Sequence, residues 1–417
     1  MATIDVTHAP YGAGGKGATD DADAFRRAVA AARSGDTVYV PAGTYLLGRT
    51  VEIPSGITLR GDGPTSLLVA IHDNGWNGFP ATHPGTRGNS SVVMLSLTGA
   101  TGVNVEKLGF DINTARNYPQ AIHINKGSAH VYVYGCTFTA PAPDAIGNTM
   151  MAVSAADSTY LRVIKNTLKG MQLKMAGGSG TRFVLVAENV ITNPYQWGIS
   201  LVGRSRNAVV TNAVIHHNTV TEIAASGGIY FGDDDNGTER FHMTCERITI
   251  VGNHLSGTPR ATANFIEGII CSTSRDWVLS DNVVTQASGG QNTTGIKIET
   301  RYVDGAVGGR TGLVVSGNQI TGPTGGIVLS QKTATNPGGA DPFIVKGNTL
   351  TGTAGIVVNG AGYKNGHVTG NTLNGGEIHT RNAGRVRVSD NTLDPAPAAT
   401  APPSVRAENE APPPTAV

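Results

Sequence analysis

The sequence predicts an all-β solenoid, in which coils of short parallel strands stack along one axis. An asparagine returns nine times just before an apolar, β-type segment, at Asn166, Asn189, Asn218, Asn253, Asn282, Asn318, Asn348, Asn371 and Asn391. Neighbouring copies lie 23, 29, 35, 29, 36, 30, 23 and 20 residues apart, a range that belongs to repeat architectures. The flanking words agree, as in Lys165-Asn166-Thr167-Leu168, Gly317-Asn318-Gln319-Ile320 and Gly370-Asn371-Thr372-Leu373. The 56 glycines are dispersed, so they read as turn residues rather than as a linker.

Bulk properties narrow the function classes. A repeat array grows by adding units, so 417 residues need not mean several domains. The net charge of +1 and the lack of a basic stripe argue against nucleic acid as a partner. No run approaches the roughly 20 apolar residues that cross a bilayer, so a membrane partner is not expected. Met1 to Val6 carry no basic region followed by an apolar core, so no signal peptide is expected. The expectation is a protein that works inside a cell, leaves by another route such as a virus particle, or has had a leader trimmed. Cys136, Cys245 and Cys271 are odd in number and lack metal-type spacing, which makes them buried small hydrophobes.

Residues 1–36 form an N-terminal segment with a capping helix. Residues 1–18 are glycine-rich and read as irregular. Thr19 or Asp20 opens the helix, with Asp20, Asp21 and Asp23 near its positive end. Phe25, Ala28, Val29 and Ala32 give it one apolar face, suited to covering the open end of a stack of coils. Short alternating strands follow in Thr37–Tyr45, Val51–Pro54 and Ile57–Gly63, split by Pro and Gly. His72 to Ser91 is a long polar insertion holding Trp76 and Phe79, a length typical of functional or mobile loops. From Val92 to Asp394 each coil repeats one grammar. Gly198-Ile199-Ser200-Leu201, then Ala208-Val209-Val210, then an Asn turn, then Thr219-Val220-Thr221 form one such coil. Stacked parallel strands about 4.8 Å apart bury a continuous aliphatic column, and the asparagines can bond to one another along the axis. Cys136 occupies the ladder position one repeat before Asn166. Residues 395–417 are Pro/Ala-rich without periodicity and read as a disordered tail.

Thr19-Asp20-Asp21, Val40-Pro41-Ala42-Gly43-Thr44-Tyr45 and Leu59-Arg60-Gly61-Asp62-Gly63 are similar to the opening motifs of the pectate-lyase-like superfamily. The resemblance covers roughly residues 10–65 and departs at Gly15-Lys16-Gly17, where Asp is usual in the superfamily. It implies a right-handed parallel β-helix, with the repeat carrying that fold to about residue 394. It identifies no substrate.

Aligning the first strand of each coil by its Gly-Ile opening places one exterior column at His123, Ala152, Gln172, Ser200, Tyr230, Ile270, Lys297 and Val328. A second runs Asn125, Ser154, Lys174, Val202, Gly232, Ser272, Glu299 and Ser330. Arg204, then Asp233-Asp234-Asp235, then Arg301 sit at the strand ends. Ionisable groups gathered mid-array on a stiff sheet suit sugar recognition. The candidate catalytic groups are Asp233, Asp234, Asp235 and Glu299. The candidate substrate-binding groups are Lys174, Arg204, Tyr230, Lys297, Arg301 and His242. Glu299 is expected two rungs from the Asp run, roughly 9–10 Å away, near the upper end for inverting glycosidases. Gly232-Asp233-Asp234 and Gly295-Ile296-Lys297 resemble two pieces of the polygalacturonase site, which implies Asp233 and Asp234 as acid/base groups and Lys297 as a contact to a substrate carboxylate. The polygalacturonase Asn-Thr-Asp and Gly-His-Gly motifs have no counterpart here. No cofactor is required by this reading, although the Asp run loosely fits a Ca²⁺ site. His216-His217 reads as a turn away from this face. His242 lies in an insertion from Asn236 to Arg247, and a second insertion, Val303 to Thr311, borders the same patch.

Three functions compete. One is a glycoside hydrolase acting on a poly- or oligosaccharide. The second is a trimeric virion tail or fibre protein that binds surface glycan. The third is a lyase, epimerase or cyclase on a sugar-like substrate, in which Tyr230, Lys297 and Arg301 supply a base and a cation. Only 6% aromatic residues argues mildly against a long polysaccharide cleft.

Overall fold

The computed structural model describes residues 1–71, 93–112, 119–140, 150–177, 180–194, 196–203, 208–223, 226–233, 243–257, 266–271, 274–286, 294–300, 312–322, 325–331, 340–352 and 355–394. The expected insertion at 72–91, most of the one at 236–247, the one at 303–311 and the tail at 395–417 lie outside them. Among the described residues every strand pairing is parallel, and the chain is a right-handed parallel β-helix. The first strands of the coils form one lateral wall of 12 strands, from Val51–Glu52 to Ile378–Arg381. The second and third strands form two further walls, joined where Thr58–Ala70 and Thr101–Asp111 run through both.

The recurring asparagines are the hinge of every coil. Each lies almost fully buried between the second and third strands, except the half-buried terminal Asn391. The Asn253 backbone N–H and side-chain Nδ2 both donate to Asn282 Oδ1, at 3.1 and 2.9 Å. Asn282 Nδ2 in turn donates to Ile250 O at 3.0 Å and to Asn318 Oδ1 at 2.9 Å. The same bonds repeat from Asn166 to Asn391. Cys136 stands where the ladder begins, its N–H donating to Asn166 Oδ1 at 2.9 Å, and all three cysteines are buried free thiols.

The residue before each ladder asparagine is left-handed. Gly317, Gly347 and Gly370 have φ of 65°, 60° and 64°, and Lys165, Glu188, His217, Asp281 and Asp390 adopt the same turn with φ between 52° and 57°. That turn aims the following amide along the axis, which is why Gly-Asn recurs without being obligatory.

Inside the coils, one aliphatic side chain per rung stacks on the next. Ile199, Ile229, Ile269, Ile296, Ile327 and Ile356 are in register and fully buried. The glycine before each isoleucine has a packing reason. A Cβ on Gly198 would lie 2.5 Å from Val220 Cγ1, and one on Gly295 would lie 2.5 Å from Ile320 Cγ2. The third-strand side chains occupy that corner.

The N-terminal end differs from expectation in two ways. Residues 1–18 are not wholly irregular, because Thr3–Asp5 and Lys16–Asp20 are strands that extend two of the walls. The helix runs Ala22–Ala31, so it starts after Thr19 and Asp20. Asp20 is taken up by the sheet, and its Oδ1 accepts from Ala22 N at 2.9 Å and Gly48 N at 3.0 Å. Phe25, Ala28 and Val29 are buried as the periodicity predicts, and Phe25 meets Tyr45 edge-on at 5.4 Å. The opening motifs are structural. Asp62 accepts from Tyr39 OH at 2.7 Å and Ala42 N at 3.1 Å, tying the Leu59–Gly63 turn to the Val40–Tyr45 strand.

Two stability outcomes follow. Asn282→Ala strands buried donors on Asn253, so chemical denaturation should show a loss of about 3 kcal/mol or more. Asn391→Ala, at the open last rung, should cost clearly less. Gly295→Ala should cost about 1–3 kcal/mol by overpacking against Ile320, read as a lowered denaturation midpoint.

Candidate functional site

Alternation along a strand sends every second residue of the lateral wall outward, so register decides which outward groups become neighbours. Lys174 pairs with Ser200, Ser200 with Tyr230, Tyr230 with Ile270, and Ile270 with Lys297. Five successive strands therefore carry Lys174, Ser200, Tyr230, Ile270 and Lys297 in one line spanning about 19 Å at ~4.8 Å per rung.

This line corrects the sequence alignment. Ser154 and Lys174, not Ala152 and Gln172, stand level with His123 and Ser200. Ala176, not Lys174, stands level with Val202 and Gly232 in the second column. The strands Met151–Ala156 and Gln172–Gly177 lack the Gly-Ile opening that marks the phase elsewhere, and their residues level with Ile122 and Ile199 are Val153 and Leu173. Leu173, not Met171, is the residue that stacks under Ile199.

At the C-terminal end of the line Lys297 Nζ lies 3.6 Å from Glu299 Oε1, with side chains 26% and 19% exposed. Both outward positions belong to Thr294–Thr300, two residues apart and so on the same face. At its centre Tyr230 stacks on Trp197, with ring centroids 4.6 Å apart and planes at 19°. Trp197 was not singled out from the sequence. Its signal is positional, since it opens a lateral strand immediately before the Gly198 corner.

Asp233 ends the strand Ser226–Asp233 on this same wall, level with Gly203 and two strands from the one carrying Glu299. Its side chain lies outside the description, as do Asp234, Asp235, Arg204, His242 and Arg301. The expected insertion before Arg247 is shorter at its far end, because Met243–Val251 is a strand in register with Ala208–His216. A left-handed Arg247, φ 55°, lets both Cys245 and Ile248 face the core and breaks the alternation that marks a strand in sequence. His216 and His217 sit on another wall, with their Nδ1 atoms 2.9 Å apart. Burial, then the neighbouring His217, holds His216 below its ordinary value.

Toward the N-terminus the same line continues into buried polar groups, Ser96, His123 and Ser154. His123 Nδ1 lies 2.7 Å from Gln120 Oε1, and its Nε2 lies 2.8 Å from Asn125 Nδ2. Asn125 Nδ2 can only donate, so this network assigns the proton to His123 Nδ1 and leaves Nε2 as acceptor. Gln172 is 2% exposed, and neither amide atom has a hydrogen-bond partner among the described residues. Buried polar side chains are costly unless paired, so this half of the wall is built for polar contact. The sequence hinted at it through Ser and His at outward positions of otherwise aliphatic strands. Among the described residues no three His, Cys, Asp or Glu side chains converge as metal ligands, and no helix is long and apolar enough to cross a membrane.

A β-helix with a polar and aromatic lateral wall defines a class of solenoid protein. Within that class the chain belongs to the rhamnogalacturonase A/epimerase, pectate lyase-like family, whose model matches residues 4–228. It is 36% identical over 90 residues to the preneck appendage protein of Bacillus phage PZA, covering 21% of this chain and 10% of that protein. It is 24% identical over 264 residues to a probable endo-xylogalacturonan hydrolase A of Aspergillus fumigatus, covering 54% of this chain and 62% of that one. The chain thus spans about a tenth of the phage relative and less than two thirds of the fungal one. Its fold matches the A-module of the Azotobacter vinelandii mannuronan C-5 epimerase AlgE6, with a TM-score of 0.60, 15% identity, and coverage of 94% of this chain and 100% of that one.

The ring pair can be tested directly. Tyr230→Ala should cost about 0.5–1.5 kcal/mol through loss of the stack and shift Trp197 emission to the red, read in a background where Trp76 and Trp277 are Phe. Unchanged emission would mean the rings do not stack in solution.

Proposed function

We propose that the protein is a carbohydrate-active enzyme that hydrolyses a glycosidic bond on its lateral wall. The observation that carries this reading is the single line of Lys174, Ser200, Tyr230 and Lys297, with Trp197 stacked on Tyr230 and Glu299 beside Lys297. A stiff parallel sheet holds charged, hydroxyl and aromatic groups at fixed spacing along a groove-length path, which is what a sugar chain needs for recognition. Family membership and the similarity to a fungal protein named as a hydrolase support the same reading.

In this mechanism the two carboxylate groups divide the work. One aspartic acid of the Asp233–Asp235 run donates a proton to the leaving glycosidic oxygen, and Glu299 takes a proton from the attacking water. Two rungs separate their strands, about 9.6 Å at ~4.8 Å per rung. That leaves room for the water and favours inversion at the anomeric carbon. Lys297 meets an acidic substituent of the substrate, and Lys174, Arg204, Arg301 and His242 complete the contacts along the path. A Ca²⁺ ion at the Asp run is a subsidiary proposal, tested by chelation.

A second reading has its own observation. The 36% identity to a phage preneck appendage protein favours a virion-borne protein, in which the same wall grips surface glycan as a binder or depolymerase, with trimerisation as part of that proposal.

Product analysis separates the chemistries. Hydrolysis yields new reducing ends without ultraviolet absorbance, elimination yields unsaturated absorbing products, and epimerisation yields neither. Glu299→Gln and Asp234→Asn should each lower turnover by about 10²–10⁴-fold with thermal melting unchanged. Turnover within a few-fold of the parent in both variants would remove these carboxylates from the mechanism. Glycan binding without turnover in the parent would move the protein to the second reading.

A further inference from the structure

Some outward cations of the solenoid meet a carboxylate one coil away. Arg60 Nη2 lies 2.8 Å from Glu106 Oε2, and Lys165 Nζ lies 3.5 Å from Glu188 Oε2. Arg385 and Arg387 flank Val386 at the start of the final second-wall strand, Val386–Ser389. Val386 is level with Gly366, and Arg387 is level with His367. Among the described residues no carboxylate lies within ion-pair distance of either guanidinium. The nearby acids are engaged elsewhere. Glu377 pairs with His379 at 3.0 Å, Asp341 accepts from Asn365 Nδ2 at 2.8 Å, and Asp390 accepts from Thr369 Oγ1 at 3.4 Å.

These side chains surround a feature of their own. A shallow open depression of about 340 Å³ is lined by Asn365, Gly366, His367, Arg385, Val386 and Arg387. Gly366 forms part of its floor, and Arg385, His367 and Arg387 are all exposed. The depression lies two to three coils beyond Lys297 and on a different wall, so it is separate from the proposed catalytic path.

We infer that this depression is an anion site for a tetrahedral oxyanion, a phosphate or sulfate group. Arg385 immediately precedes the strand that carries Arg387, and His367 is level with Arg387 on the neighbouring strand, about 4.8 Å away. All three side chains line the depression. A planar carboxylate offers two oxygens and can satisfy one guanidinium fork, whereas a tetrahedral group offers three or more and can meet both forks and the ring nitrogen. No covalent step is involved, and the site is a recognition point at the end of the solenoid. The group can arrive as a free ion or as an ester on a sugar.

The test titrates the full chain, at fixed ionic strength, with inorganic phosphate, inorganic sulfate, acetate and glucose 6-phosphate, followed by calorimetry and amide shifts. Saturable binding of phosphate and sulfate, weaker binding of acetate, and at least tenfold weaker phosphate binding by the Arg385→Gln/Arg387→Gln variant would support the site. Glucose 6-phosphate binding tighter than phosphate assigns a sugar-borne ester, and equal binding assigns the free ion. Arg387→Lys keeps the charge but loses the fork, and should fall between parent and double variant. Both variants should melt with the parent and leave any glycan turnover on the lateral wall unchanged. No saturable binding, acetate binding as tight as phosphate, or equal phosphate binding in the double variant would overturn the assignment.

Discussion

The hydrogen-bonded asparagine ladder is the constraint on which the other features rest. Each amide accepts the backbone N–H and the side chain of the coil before it, and donates to the coil after it and to a carbonyl. The asparagine-to-asparagine bonds are buried except at the last rung, where Asn371 meets Asn391, so a coil that slipped by one residue would strand several donors and acceptors at once. The ladder holds the phase of each turn, and with it the phase of the strands on either side. The left-handed residue that precedes each asparagine is the local cost of that arrangement. It is met by glycine at Gly252, Gly317, Gly347 and Gly370 and by Asp, Glu, Lys or His at the other five turns.

With phase held, the lateral wall acts as a ruler. Side chains far apart in sequence are set about 4.8 Å apart, and the chemistry of the wall changes along its length. Its N-terminal half buries Ser96, His123, Ser154 and Gln172, and its middle carries Lys174, the Trp197–Tyr230 pair and the Lys297–Glu299 pair. The pairing of Leu173 with Ile199 sets Lys174 in line with Tyr230 rather than with Glu299.

The two ends of the solenoid are unlike. The helix Ala22–Ala31 closes the first coils with Phe25, Ala28 and Val29. In the last described coil Val388 and Leu393 are 47% and 53% exposed, although their partners Val368 and Leu373 one coil earlier are fully buried. Arg385 and Arg387 stand at this same end.

The sequence by itself determined the repeat, the ladder and the core. Asn at intervals of 20 to 36 residues and one aliphatic residue per rung are local patterns, each legible without knowing what touches it. It also marked Tyr230, Lys297 and Glu299 as outward groups, because alternation within a strand is itself local. Only tertiary structure decided which coils share a register. Lys174 stands two residues from its expected level, Trp197 carries no local signal of its ring partner, and Lys16–Asp20 is a strand where irregular chain is expected. Each of these depends on a neighbour supplied by another coil, through strand register, a ring stack or a backbone bond. Spacing along one chain carries no information on how far its neighbour has slipped.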